Sequence, residues 1–291
     1  MADFLSAYSI QRWLESCPQG YLVDTVFGHE AKATEAPLIN ENETIHEDAI
    51  RTTVQLVLGE RCALAASSGL INAAPDYPSK HFLATQTLDE ARHVEIFTQR
   101  LFDLGVAKAD LEDVLTQYAN PHLIEFASVL LEKVDKKDFV AGVVGQNLIL
   151  EGMAFSVFEM LHAVNAQINP KFAQTLSGTI ADERRHVGFG ENRIGALIKQ
   201  YPERRPEVEK LQKDMTYHML AAFADAFSRA SGAISEARAN TDQGEAVEWH
   251  GANLSESSPE EMEKVLAGTV LNEFKTRLGR VGIDYQTPAA P

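Results

Sequence analysis

An all-α bundle of long helices is the fold this sequence predicts. Three observations carry it. Apolar residues recur at helical spacing, N-capping signals precede long apolar stretches, and a D-E-x-R-H pattern occurs twice inside such stretches. No strand-period run, glycine-rich phosphate loop or G-x-S-x-G turn is present. At 291 residues and 45% hydrophobic content the chain can bury a sizeable core. The reading is a single all-α domain over 1–291, with a four-helix core at about 44–200 and accessory helices at about 3–16, 206–239 and 258–279.

In chain order, residues 3–16 read as a short amphipathic helix and 17–43 as a loop rich in Pro and Gly. Thr44 with Glu47 forms a capping box opening a long helix to about Ala74, stopped by Pro75. A second long helix runs from about Ser79 to Leu104 and ends at Gly105. Residues 106–137 read as a crossover with two short helices, the second started by Asn120-Pro121. Asp138–Ile168 is apolar on most sides and therefore central. Asn169-Pro170 starts a fourth long helix to about Gln200, residues 206–239 form a fifth, and Ser258 caps a last one to about Leu278. Residues 240–257 read as a polar loop, and the tail after Gly282 is expected to be poorly ordered.

The net charge of −16 argues against nucleic acid and anionic membrane as main partners. It suits solubility or a face for a basic redox partner. Two cysteines, Cys17 and Cys62, make neither a disulfide framework nor a zinc motif. The N-terminus has no secretory pattern, and no apolar run approaches the ~18 residues of a membrane span. A soluble cytoplasmic protein is expected.

The repeated pattern is Asp89-Glu90-Ala91-Arg92-His93 and Asp182-Glu183-Arg184-Arg185-His186. Glu and His three apart share one helix face. A single Glu-x-x-His is common; a doubled one needs a shared explanation. Buried carboxylates are costly unless paired, protonated or metal-bound. Each apolar helix before a motif holds one such acid, Glu60 and Glu151. Glu60 lies 15 residues before Pro75 and Glu90 12 after Pro78; Glu151 lies 18 before Asn169 and Glu183 13 after Pro170. In antiparallel hairpins rising ~1.5 Å per residue, each lone acid lies near the level of its motif.

The expected metal ligands are Glu60, Glu90, His93, Glu151, Glu183 and His186. Four carboxylates balance two divalent cations, and one His per ion suits iron, manganese or cobalt better than magnesium. Asp182 is expected to orient His93 and Asp89 to orient His186. Arg92 and Arg185 either neutralise these aspartates or form surface bridges three residues apart. Leu64, Phe97, Leu101, Phe155, Phe158 and Phe189, at helical spacing from the ligands, are the expected apolar substrate pocket. The remaining histidines lack such pairing.

The pattern Glu60, Asp89–His93, Glu151, Asp182–His186 resembles the ferritin-like di-iron carboxylate superfamily of ribonucleotide reductase small subunits. Within it, Asp182–Gly190 looks most like the ligand-binding oxidases, and the whole is also similar to the di-iron monooxygenase hydroxylases. The resemblance covers about residues 45–200. It implies two iron ions, or one manganese and one iron, that activate dioxygen to oxidise a C–H or N–H bond of a small, partly apolar substrate. No separate acid or base is implied. It further implies an external electron donor, a ferredoxin or reductase, and a homodimer. Four positions depart from the pattern. Phe97 stands where reductase subunits carry the radical tyrosine, which excludes a tyrosyl radical there. Phe155 replaces the hydroxylase threonine, Gln146 the crosslinking tyrosine of the ligand-binding oxidases, and Thr179 the seventh histidine of the arylamine oxygenases. A radical-generating partner subunit and a ferroxidase or metal store remain the alternatives.

Overall fold

The computed structural model describes residues 34–239, 248–249, 251–254 and 256–288. The expected helix at 3–16, Cys17, His29 and His250 lie outside them. The described chain is a helical bundle. In order it forms α1 (Pro37–Glu41), α2 (Glu43–Ala73), α3 (Tyr77–Asp103), a short 3-10 turn leading into α4 (Leu111–Tyr118), and α5 (Pro121–Asp135). Then come α6 (Phe139–Val143), a π-helical segment (Val144–Leu150), α7 (Glu151–Ile168), α8 (Pro170–Gln200), α9 (Arg205–Ala239), β1 (Glu248–Trp249), β2 (Ala252–Asn253) and α10 (Pro259–Arg280).

Side-chain caps set most boundaries. Asn42, not Thr44, caps α2: its backbone is extended and its side chain accepts from Ile45 N at 3.0 Å. Asp76 caps α3 through Ser79 N, and α3 stops where Gly105 takes a φ of 91°. Asn120 caps α5, Asp138 caps α6, and Ser258 with Glu261 forms a full capping box on α10. Asn169 stands at the head of α8 but does not cap it. Its amide instead donates to Glu35 Oε2 at 2.6 Å and accepts from Ala36 N at 3.3 Å. Glu35 also binds Arg100 at 2.6 Å, so a buried ion pair ties the segment before α1 to α3 and α8.

The helices α2 and α3 pack as one hairpin and α7 and α8 as another. Helix α9 lies across α2, α5 and the π segment, and α10 covers α7 and α9. An apolar cluster of Val54, Val57, Phe97, Leu101, Phe158 and Phe172 fills one end of the four central helices. The larger core fills the other end and the joints to α5, α9 and α10.

Three features differ from the sequence reading. Part of the 240–257 loop is a two-stranded antiparallel ribbon pairing Glu248 with Asn253 and Trp249 with Ala252. The tail beyond Gly282 packs: Ile283 is buried, and Gln286 exchanges two hydrogen bonds with Gln212 of α9. Two helical stretches, Glu43–Ala73 and Phe139–Ala166, are long and apolar enough to cross a membrane by composition. In the second, 89% of the apolar window is buried inside the bundle, as a central helix requires.

Candidate metal centre

The two hairpins bring all six expected residues together: Glu60 from α2, Glu90 and His93 from α3, Glu151 from α7, Glu183 and His186 from α8. None is more than 5% exposed. The Nδ1 atoms of both histidines face inward. His93 Nδ1 lies 3.3 Å from Glu60, 3.4 Å from Glu90 Oε2 and 3.4 Å from Glu183 Oε1. His186 Nδ1 lies 3.3 Å from Glu90 Oε1, 3.7 Å from Glu151 and 3.6 Å from Glu183 Oε2. Glu90 and Glu183 thus turn one oxygen to each histidine, while Glu60 and Glu151 each attend one. Within each of two groups, Glu60–Glu90–His93–Glu183 and Glu90–Glu151–His186, the donor atoms lie within 4.8 Å of one another.

The outward Nε2 atoms meet the aspartates crosswise. His93 Nε2 lies 3.2 Å from Asp182, and His186 Nε2 lies 3.2 Å from Asp89. This partner fixes the tautomer that leaves Nδ1 free to ligate. Arg92 is buried and donates to Asp182; Arg185 is half-exposed and donates to Asp89 at 2.9 Å and Asp182 at 2.5 Å. Both arginines therefore neutralise the aspartates across the two motifs, beyond a local bridge within one helix.

The charges hold protons in place. Burial pushes the Glu60 carboxyl up to about 8, against the pull of His93. Burial, then Glu90 and Glu183, hold Glu151 well above the ordinary value. Burial opposes ionisation of Glu90, but His186 and His93 outweigh it and hold that carboxyl at about 2. Burial alone would lower both imidazoles; Glu60 foremost for His93, and Glu90 for His186, raise them well above the usual histidine range. Glu90 Oε2, Glu183 Oε2 and His186 Nδ1 have no hydrogen-bond partner although buried. Buried, unpartnered donor atoms of hard and borderline type, converging from four helices, fit a pair of divalent transition-metal ions.

Three buried amides around Glu151 were not foreseen as part of the site. Gln86 Nε2 and Gln146 Nε2 each donate to Glu151 Oε1 at 2.6 Å, and Asn147 Nδ2 donates to Oε2 at 3.0 Å. Their signal in the sequence was the one used for Glu60: polar side chains inside an apolar helix.

The six expected pocket residues are placed in different surroundings. A cavity of about 190 Å3 reaches Glu60, Glu151 and Glu183, and of the six predicted residues only Phe158 lines it. Phe97 and Leu101 are wholly buried in the small core cluster, Phe97 against Phe158. Phe155 lies under Arg277, Phe189 stacks on Phe82, and Leu64 is half-buried off the cavity. The walls of this cavity come mostly from α2, α7, α9 and α10, among them Leu56, Ala154, Met219, Ala222, Phe223 and Met262. His162, which continues the Glu151 helix, meets Ser177 Oγ at 3.2 Å and is outside the cluster.

No protein-family model and no curated protein matches the chain. Solved structures do. An R2-like ligand-binding oxidase, a point mutant with an aerobically reconstituted Mn/Fe cofactor, aligns at TM-score 0.68 and 16% identity over 84% of this chain and 83% of its own. A second point mutant of an R2-like ligand-binding oxidase, with the same kind of cofactor, aligns at TM-score 0.68 and 16% identity over 86% and 85%. A protein with aldehyde deformylating oxidase activity from Synechococcus aligns at TM-score 0.55 and 16% identity over 84% of this chain and 93% of its own. The chain thus has the ferritin-like helical fold of these oxidases.

Proposed function

We propose that the chain is a dinuclear non-haem metal oxidase or oxygenase, with two iron ions or one manganese and one iron, acting on a small apolar organic substrate. The observation that carries this reading is a buried six-residue carboxylate–histidine cluster opening onto an apolar cavity. The similar folds of an Mn/Fe ligand-binding oxidase and an aldehyde deformylating oxidase support it. Glu90 and Glu183 would each serve both ions, Glu60 and His93 one, Glu151 and His186 the other. When bound, the pair supplies the electrons that reduce dioxygen and the oxidising power for the substrate. In a monooxygenation one oxygen atom enters a C–H or N–H bond and the other leaves as water, with two electrons from an external donor and two protons from solvent. Asp182 and Asp89 hold the histidines in their ligating tautomer. The cavity walls exclude water and place an apolar group beside Glu60 and Glu183.

Storage of iron has no use for this apolar cavity, and a tyrosyl radical has no tyrosine at Phe97. The test is anaerobic Fe(II) loading followed by an oxygen pulse, watched by absorbance. The expected result is a transient charge-transfer band whose decay accelerates with an apolar compound present. Continued uptake of many irons per chain into a ferric mineral, with no transient band, would sink the oxidase reading in favour of storage.

A further inference from the structure

Glu60 and Glu151 hold matching places, one beside each histidine, but their surroundings differ. Both reach the cavity, but Glu60 has His93 as its hydrogen-bond partner, with no amide on it among the described residues. Glu151 is gripped by Gln86, Gln146 and Asn147, all wholly buried. The grip is a connected network. Gln86 Nε2 also donates to Glu90 Oε1 at 3.1 Å, Asn147 Nδ2 reaches Gln86 Oε1 at 3.1 Å and the His186 carbonyl at 3.3 Å, and Gln146 Nε2 reaches the Ala63 carbonyl at 3.3 Å.

The backbone is built for this grip. In an α-helix, successive residues point about 100° apart. The wider π turn of Val144–Leu150 turns both Gln146 and Asn147 onto one carboxylate. Gly190 of α8 admits the turn, since a Cβ there would lie 2.5 Å from Asn147 Cβ. With their amide nitrogens on the acid, Gln146 Oε1 and Asn147 Oδ1 have no hydrogen-bond partner. Both amides are thus turned with their nitrogens to Glu151 although this leaves two buried acceptors unmatched.

We infer that Gln86, Gln146 and Asn147 are positioning residues that clamp Glu151 and make the His186 position the rigid one of the two metal positions, with Glu60 the ligand free to reorient. The inference rests on the dinuclear reading above. Two amides donate to Glu151 Oε1, the oxygen that lies 3.7 Å from His186 Nδ1, and one donates to Oε2, so three donors fix the carboxylate beside His186. The clamp thereby fixes the orientation in which Glu151 meets an ion at the His186 position.

The double variant Gln86→Met/Gln146→Met keeps side-chain length and removes two donors. It is titrated anaerobically with Mn(II), read by electron paramagnetic resonance, with far-UV circular dichroism as the check on folding. The wild type takes two ions. In the double variant one of the two weakens about 10–100-fold and the other is unchanged. In a Glu60→Ala background, where the clamped position is the one left complete, adding Gln146→Met weakens the remaining ion to the same degree. If the double variant fails to fold, Gln146→Met alone carries the same site-selective loss at smaller amplitude. Unchanged affinities at both positions, or equal loss at both in a folded protein, overturn the clamp and leave the dinuclear reading standing. A wild-type chain that takes up no Mn(II) or Fe(II) overturns the dinuclear reading itself.

Discussion

Two glycines two residues apart on α8 are expected to respond oppositely to the same substitution. At Gly190 an added Cβ would lie 2.5 Å from Asn147 Cβ, 3.2 Å from Leu148 Cδ2 and 3.3 Å from the Asn147 carbonyl carbon. Carbon atoms settle at about 3.5–4.0 Å, so α8 or the π segment must give by on the order of 1 Å. Asn147 Cβ is fixed to its backbone and cannot rotate away. Overpacking of this kind costs about 3 kcal/mol, against about 1 kcal/mol gained by replacing a helical glycine. Gly190→Ala is therefore destabilising by about 2 kcal/mol. Gly188 is exposed and has nothing within 4 Å of an added Cβ. Gly188→Ala keeps only the helix gain, about 1 kcal/mol. At about 2–4 °C per kcal/mol, metal-free Gly190→Ala melts ~4–8 °C below wild type and Gly188→Ala ~2–4 °C above it. Thermal unfolding followed by circular dichroism reads both. A Gly190→Ala protein that melts at or above wild type would refute the close approach of α8 to the π segment, and with it the placement of Asn147.

Three further outcomes are expected. Glu60, with its carboxyl raised to about 8, holds a proton at neutral pH in the metal-free protein. A carboxyl raised on folding lowers stability as pH climbs from its unfolded value to its folded one, so metal-free protein should melt lower as pH rises from about 5 to 8. Metal must displace that proton, so apparent affinity should rise over the same range and loading should release protons, measurable in weakly buffered solution; proton release that does not change between about pH 6 and 9 would contradict it. Glu35→Ala leaves Arg100 buried without its counter-ion and should cost about 3–5 kcal/mol in unfolding, read by urea denaturation. Ala222→Phe projects a ring into the cavity and should leave metal uptake intact while abolishing acceleration of the oxygen reaction by apolar compounds.

What could be read from the sequence divides along a physical line. The six cluster residues were legible because burying an acid demands a reason, and helical spacing with hairpin lengths already implies convergence. The crosswise Asp–His pairs followed from the same repeat. The cavity was not legible, because its walls depend on where α9 and α10 dock. Met219, Phe223 and Met262 are ordinary apolar residues until those helices are placed. Spacing from the ligands selected Phe97 and Leu101, which share the helix face but point into the small core. The π segment was hidden for a different reason. Nothing in a helical pattern marks one widened turn, and what accompanies it are tertiary contacts of Gln146 with the Ala63 carbonyl and of Asn147 with Gln86 and the His186 carbonyl. Asn42 outcompeted Thr44 as cap, and Asn169 abandoned a cap for Glu35; local signals named candidate residues in both places, and the surrounding fold chose among their partners.

The central claim is that two metal ions share the cluster of Glu60, Glu90, His93, Glu151, Glu183 and His186. The most direct measurement is the number of irons retained per chain after anaerobic Fe(II) loading and desalting, for wild type and for Glu183→Ala. The account predicts two for wild type and one for the variant, which loses a ligand turned to both histidines. Fewer than two in wild type, or two in Glu183→Ala, would contradict it.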